Sequence, residues 1–218
     1  MAAKRRGRRP AADGNSLSRE SFVRAAREVI EQHGVQAYSV RTLADQVGAD
    51  PSAVYRYFPS LDSVLAAVVD DLYTGIEPPS AGTPRERLEA LLLGVHERFY
   101  EHPNLVPLLL AADAGRTSSV PIEAAGLALL EELGLRGERM ALCQRLLESY
   151  VVGTHAFDLG GAPTHLETRR MRMRQVDHPD IDAALRDLAA VDNINRRAFR
   201  TGLTVLLDYC ESLAASGR

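Results

Sequence analysis

Residues 39–60 read Ser39-Val40-Arg41-Thr42-Leu43-Ala44-Asp45-Gln46-Val47-Gly48-Ala49-Asp50-Pro51-Ser52-Ala53-Val54-Tyr55-Arg56-Tyr57-Phe58-Pro59-Ser60. Ser39 suits the N-cap of a short helix whose Val40, Leu43, Ala44 and Val47 share one face. Gly48 supplies the left-handed backbone that a tight turn requires. Asp50-Pro51 opens a second brief helix, expected over residues 51–58. Proline fits the first helical position and holds the residue before it in the extended conformation of an N-cap. Pro59 stops this helix. It is too short to stand alone, so it must pack on its neighbours and leave Ser52, Tyr55 and Arg56 on its outer face. Two short helices joined by a four-residue turn are the layout of a DNA-binding helix-turn-helix, whose second helix enters the major groove. The same spacing also fits tri-helical units that bind no DNA.

Working outward, helical spacing continues in both directions and no alternating Val/Ile-rich run suggests a strand. Ser18 caps a helix to residue 33 with Phe22, Val23, Ala26, Val29 and Ile30 inward, and Gly34 ends it. Ser60 caps a helix over 61–74 with Leu61, Val64, Leu65, Val68, Val69 and Leu72 on one face. The Pro/Ser/Gly stretch at 77–82 breaks the chain. Thr83-Pro84-Arg85-Glu86 is a capping box with proline at the first helical position, and it opens a helix carrying Leu88, Leu91, Leu92, Val95 and Phe99. Further helices are expected at 103–112, 120–133, 138–159, 180–190 and 193–215, with an arginine-rich loop over 162–178. The fold class is therefore all-α: an N-terminal three-helix helix-turn-helix domain followed by a larger helical bundle. The division is a basic arm at 1–17, the DNA-binding domain with its connecting helix at 18–74, and the bundle at 75–218.

The chain has 218 residues, 45% hydrophobic and 25% charged, an ordinary globular balance. No apolar run approaches the ~18 residues of a membrane span. The start is basic but lacks the apolar core of a secretory signal. A cytoplasmic protein without a membrane partner is expected. The net charge of −3 conceals an asymmetry. Residues 1–60 carry ten Lys/Arg against six Asp/Glu, and the remainder sixteen against twenty-three. The basic end suggests a polyanion partner there and nowhere else.

The order Ser39-Val40-Arg41-Thr42-Leu43-Ala44, then Val47-Gly48-Ala49-Asp50-Pro51-Ser52-Ala53-Val54, then Tyr55-Arg56-Tyr57-Phe58-Pro59-Ser60, resembles the signature of the TetR family of transcriptional regulators. The Tyr-x-Tyr-Phe-Pro-Ser ending and the spacing from Gly34 to Gly48 carry most of the likeness, which covers residues 18–72. The resemblance implies a homodimer that binds a palindromic double-stranded DNA operator. It implies that Ser52 and Ala53 meet base edges, that Tyr55 and Tyr57 contact phosphate or sugar, and that Thr42 meets a phosphate. It also implies that Arg41 reads a guanine, a bidentate contact worth ~1–3 kcal/mol of discrimination. Arg56 lies on the same outer face. Leu61 departs from the family, where a lysine commonly pairs with phosphate. Lys4, Arg5, Arg6, Arg8 and Arg9 are similar to arms laid into a flanking minor groove, and each phosphate they neutralise would steepen the salt dependence of binding.

The bundle resembles, loosely, the ligand domain of the tetracycline-repressor-like branch. The residues behind this are Gly134-Leu135, Tyr150-Val151-Val152-Gly153 and Thr201-Gly202-Leu203. The last helix and residues 138–159 look like the family's intermolecular four-helix bundle, with Leu146, Tyr150, Leu203, Leu206, Leu207 and Cys210 at the dimer interface. The same faces also suit the interior of a single chain. An apolar small-molecule effector would be lined by His96, Phe99, Tyr100, His155 and Phe157, and its binding would release the DNA. No histidine spacing favours a metal, no cofactor motif is present, and no nucleophile elbow, phosphate loop or His-Glu-x-x-His supports an enzyme. Cys143 and Cys210 lie far apart in sequence and give no disulfide framework. Two other readings fit the same residues: a DNA-binding regulator without an effector, and a helical ligand-binding protein that binds no DNA.

Overall fold

The computed structural model describes residues 17–111, 119–156 and 164–216. The basic arm, Phe157 and residues 112–118 lie outside them. Every regular element among the described residues is helical. The chain divides after Val68 into two compact units.

The first unit is built on caps. Ser18 accepts from Ser21 N, and Ser21 reciprocates toward the Ser18 backbone, starting α1 (Arg19–His33). Gly34, at φ 76°, ends it. A single 3-10 turn, Val35–Ala37, follows. Ser39 and Thr42 form the same reciprocal box at the start of α2 (Val40–Gln46). Gly48 turns the chain at φ 66°. Asp50 then accepts from Ser52 N at 2.9 Å and from Ser52 Oγ at 2.6 Å. The segment it caps, Pro51–Arg56, is a 3-10 helix of six residues, not the α-helix expected to run to residue 58. With so few residues, each i→i+4 bond gained would cost a residue of turn, and the tighter i→i+3 pattern closes instead. Its inner face joins the core: Leu43, Ala44, Ala53 and Val54 are fully buried beside Phe22, Ile30 and Phe58. α3 (Leu61–Tyr73) begins in this unit, where Val64 and Val68 are buried. The Tyr38 hydroxyl donates to Leu61 O at 3.1 Å and so pins the start of α3.

The second unit holds the end of α3 and α4 (Pro84–Glu101), α5 (Val106–Ala111), α6 (Val120–Glu132), α7 (Gly137–Ala156), α8 (Thr164–Arg174), α9 (Pro179–Ala184) and α10 (Leu188–Ala215). The capping box at Thr83 and Glu86 is present, with Pro84 at the first position. α4 packs against α6, α7 and α10, and α10 packs against α7 and α8. Arg85 ties the start of α4 to Asp208 at 2.6 Å, and Arg87 ties it to Glu132 at 2.8 Å.

Three sequence expectations change here. Residues 164–174, expected as loop, are helical; α8 shows no apolar face, and it is held partly through Arg170, whose guanidinium donates to the Leu185 and Arg186 carbonyls. The last two helices begin earlier than expected, because Pro179 and the Asp187 side chain, bonded to Ala190 N, start them. Finally, Leu203, Leu207 and Cys210, expected at a dimer interface, are fully buried in the chain's own core. Cys210 meets Cys143 of α7 there, thiol to thiol, and burial pushes its pKa up to about 12.

Tyr150 of α7 seats its ring over Gly202 of α10 and donates to the carbonyls of Ala198 and Phe199 at 3.2 and 3.1 Å. A Cβ at Gly202 would overlap the Tyr150 hydroxyl. Gly202→Ala should therefore cost about 1–3 kcal/mol by overpacking. In a Tyr150→Ala background the same change should cost under about 0.5 kcal/mol, because the two sites are coupled. Urea unfolding of the four proteins of this cycle measures the difference.

Candidate nucleic-acid interface and ligand cavities

In the first unit, burial on one side of the helix-turn-helix defines what the other side offers. Ser52, Tyr55 and Arg56 project from the 3-10 helix into solvent, Tyr55 with 56% of its surface exposed. Arg41 and Thr42, at the start of α2, are exposed as well. The Thr42 hydroxyl already donates within the capping turn, to Ala37 O and Ser39 O at 3.0 Å each. Ala53 is fully buried, which removes it from the groove-facing set: its methyl group packs inward opposite Ser52. Tyr57 is half-buried. Its ring lies 5.3 Å from Phe22 and its hydroxyl donates to Leu17 O at 2.8 Å, so it fastens the first helix to the end of the motif. Arg19 completes this corner, stacking its guanidinium 4.1 Å from the Phe58 ring and donating to Tyr57 O. Neither Leu17 nor Arg19 was singled out by the sequence. The Asp50 carboxyl is held below its usual range by the two Ser52 bonds, and stays ionised as a cap.

The second unit contains a cleft of about 720 Å³ of empty space, part of it open solvent, between α4, α6 and α7. Leu88, Leu92, Val95, Leu127, Leu147 and Val152 supply most of its wall, with Tyr73 at the end of α3 and Ser119, Glu123, Gln144 and Glu148 as its polar groups. Of the described residues expected to line a ligand site, the structure puts only Phe99 here. Its ring meets Tyr73 edge to face at 5.8 Å. The lining leucines were legible only as a helix's buried face. Gly126, in the middle of α6, was the overlooked signal: glycine there costs helix stability, and nothing lies within 4 Å of its missing Cβ.

His96, His155 and Tyr100 form a separate cluster. His96 Nδ1 and His155 Nε2 share a hydrogen bond of 2.9 Å, both rings are buried, and His96 stacks on Phe199 at 3.5 Å. Tyr100 donates to Asp192 and lies under Arg196, which bridges Asp192 and Glu97. Burial, then the charges of Arg196 and Arg200, pull the pKa of His96 down to about 4. These residues join α4, α7 and α10 as a buried polar seam rather than lining the cleft.

Residues 22–68 match the family described as bacterial regulatory proteins, tetR family. An HTH-type transcriptional regulator of Mycobacterium tuberculosis is 27% identical over 138 residues, 56% of this chain and 62% of that protein. The chain spans about three fifths of the length of the curated relatives it matches. Among solved structures, Streptomyces coelicolor ActR in complex with actinorhodin superposes with a TM-score of 0.71 at 18% identity, covering 93% of this chain and 99% of that one. Mycobacterium smegmatis BioQ, solved with its double-stranded DNA operator, gives 0.62 at 19% identity over 90% and 99%. At such identity these are likenesses of fold. No described helix is long and apolar enough to cross a membrane.

The depressed pKa of His96 makes a stability prediction. In the unfolded chain His96 takes a proton near its ordinary value of 6.5, whereas in the folded chain it resists until about 4. Its contribution is fully present above about pH 6.5 and is lost as pH falls from there toward 4, by up to about 3 kcal/mol. Urea unfolding at pH 7.5, 6, 5 and 4 should show this slope, and His96→Gln should flatten it.

Proposed function

We propose that this protein is a DNA-binding transcriptional repressor that acts as a homodimer on a palindromic operator and is released by an apolar small molecule. One observation carries the reading. A six-residue helix buries Ala53 and Val54 completely and turns Ser52, Tyr55 and Arg56 outward, with Arg41 and Thr42 exposed on the preceding helix. Such an exposed set on a rigid turn suits groove reading: Arg41 for a guanine edge, Ser52 for a base edge, Tyr55, Thr42 and Arg56 for the phosphates. The basic run Lys4–Arg9 adds sequence-independent affinity. The match of residues 22–68 to the tetR family of bacterial regulatory proteins supports the reading, as do curated relatives named as transcriptional regulators and a neighbour solved on its operator.

A palindrome needs two copies. With Leu203, Leu207 and Cys210 spent inside the chain, the surface left for a partner is the outer stripe of α7 and α10. It comprises Leu142 and Val205, 44% and 60% exposed, and Tyr209, with the half-buried Leu146, Leu206 and Leu213 beside them. Such large apolar groups in solvent on two adjacent helices suit an isologous contact. The effector would occupy the cleft of α4, α6 and α7, which suits an apolar body. α3 begins in the first unit, and its last residue, Tyr73, lines that cleft. A ligand against Tyr73 would thus act on a helix that the DNA-binding unit shares, and a coupling of ~1–3 kcal/mol suffices for release.

Fluorescence anisotropy on the DNA flanking its own gene, against scrambled DNA across a salt series, tests the reading. The parent protein should bind only the native fragment tightly. Arg41→Ala and Tyr55→Ala should each weaken binding about tenfold without lowering the Tm. Val205→Glu should yield a folded monomer by light scattering and lose the fragment. Equal binding to both DNAs, or none at low salt, would contradict the proposal.

A further inference from the structure

A second cavity lies where α7, α8 and α10 meet, with about 860 Å³ of empty space, part of it open solvent. One wall is apolar and fixed. Tyr150 and Phe199 stand 5.3 Å apart and 16° from parallel, and Phe199 also stacks on His96. Tyr150 is held in place by its bonds to the Ala198 and Phe199 carbonyls and by the missing Cβ of Gly202. The remaining lining is Ser149, Gly153, Thr154, Arg169, Asn195 and Ala198.

Two of these residues carry a nitrogen that is buried and has no acceptor among the described residues: Arg169 Nε and Asn195 Nδ2. A buried donor left unmade is expensive, and more so on a charged group. Folding alone gives no reason to hold two of them on one cavity. Nearby groups find partners by contrast. Arg170, next in the chain, spends its guanidinium on two carbonyls, and Thr154 donates to Tyr150 O at 2.7 Å. The charge is one-sided. Among the described residues, Arg169 is the only charged one lining this cavity, and no carboxylate lines it. The cleft of α4, α6 and α7 has the opposite character, with Glu123 and Glu148 in its lining and no Arg, Lys or His among the described residues there.

We propose that the cavity of α7, α8 and α10 is a binding site for a small organic carboxylate. Its apolar body lies against Tyr150, Phe199 and Ala198, and its oxygens accept from Arg169 Nε and Asn195 Nδ2. Charge-assisted bonds of this kind are the strong ones in a sheltered site. The site is distinct from the effector cleft and does not depend on whether the first unit binds DNA.

Isothermal titration of the full chain with 2-naphthoate, and with 2-naphthamide as its uncharged counterpart, tests the assignment. The acid should bind about tenfold or more tightly than the amide, the span of one charge-assisted bond. Arg169→Gln should bring the acid down to the level of the amide. Gly153→Leu should block both: Gly153 lines the cavity, and a Cβ there meets nothing within 4 Å, so the larger side chain has room to enter it. It also leaves the Arg169 donor untouched, which keeps the test valid if Arg169→Gln misfolds. Circular-dichroism melting checks each variant. No binding of 2-naphthoate, equal binding of acid and amide, or binding that survives Gly153→Leu would overturn the assignment. The last result would place the ligand elsewhere.

Discussion

The first unit depends on one constraint: a six-residue 3-10 helix cannot hold itself. Nucleating a turn fixes several dihedral angles for a single hydrogen bond. Pro51–Arg56 therefore exists only because Ala53 and Val54 are buried against α2 and because Asp50 caps its start. The same burial fixes what faces outward. With two of six side chains locked inside, Ser52, Tyr55 and Arg56 have no freedom to turn in, and a groove would meet them already oriented. The Tyr57 hydroxyl and the Arg19 guanidinium close the corner from the other side. Pre-orientation of this kind lowers the ordering cost of binding.

The second unit is organised by a buried seam through α4, α7 and α10: His155, His96, Phe199 and Tyr150 in successive ring contact. On one side of α7 is an apolar cleft with carboxylates in its lining. Toward α8 and α10 is a second cavity whose described lining carries one arginine and no carboxylate. One helix thus separates two cavities of opposite charge, and the stacked rings make its position against α10 well determined. Tyr150 fits only because residue 202 is glycine, so the spacing of α7 and α10 is set by a side chain meeting backbone.

Much of this was legible in the sequence, and the reasons differ by element. Caps are local chemistry, so Ser18, Ser39, Asp50 and Thr83 announced their helices correctly. The all-α class followed from spacing alone. α8 was missed because it has no apolar face; arginine bonds to backbone carbonyls help to hold it, and periodicity cannot see those. α10 was read with the wrong face outward. It is apolar on more than one side, and which stripe meets α7 is decided by tertiary packing around Cys143 and Gly202. The ligand residues were chosen as aromatic and histidine side chains, whereas the cleft is mostly aliphatic. A leucine that lines a cleft and a leucine that fills a core look alike until their neighbours are known. Ala53 fell on a groove-facing position by resemblance, yet a 3-10 turn rotates it inward.

The central claim is that the exposed face of Pro51–Arg56, with Arg41, reads bases rather than only phosphates. Methylation interference at guanine N7 on the bound native fragment tests it most directly, because that atom lies on the floor of the major groove. The account predicts two symmetric clusters of interfering guanines, one helical turn or a multiple of it apart, with one guanine per half-site losing its effect in Arg41→Ala. Binding that persists when every guanine is methylated would contradict it and leave only contacts to the backbone.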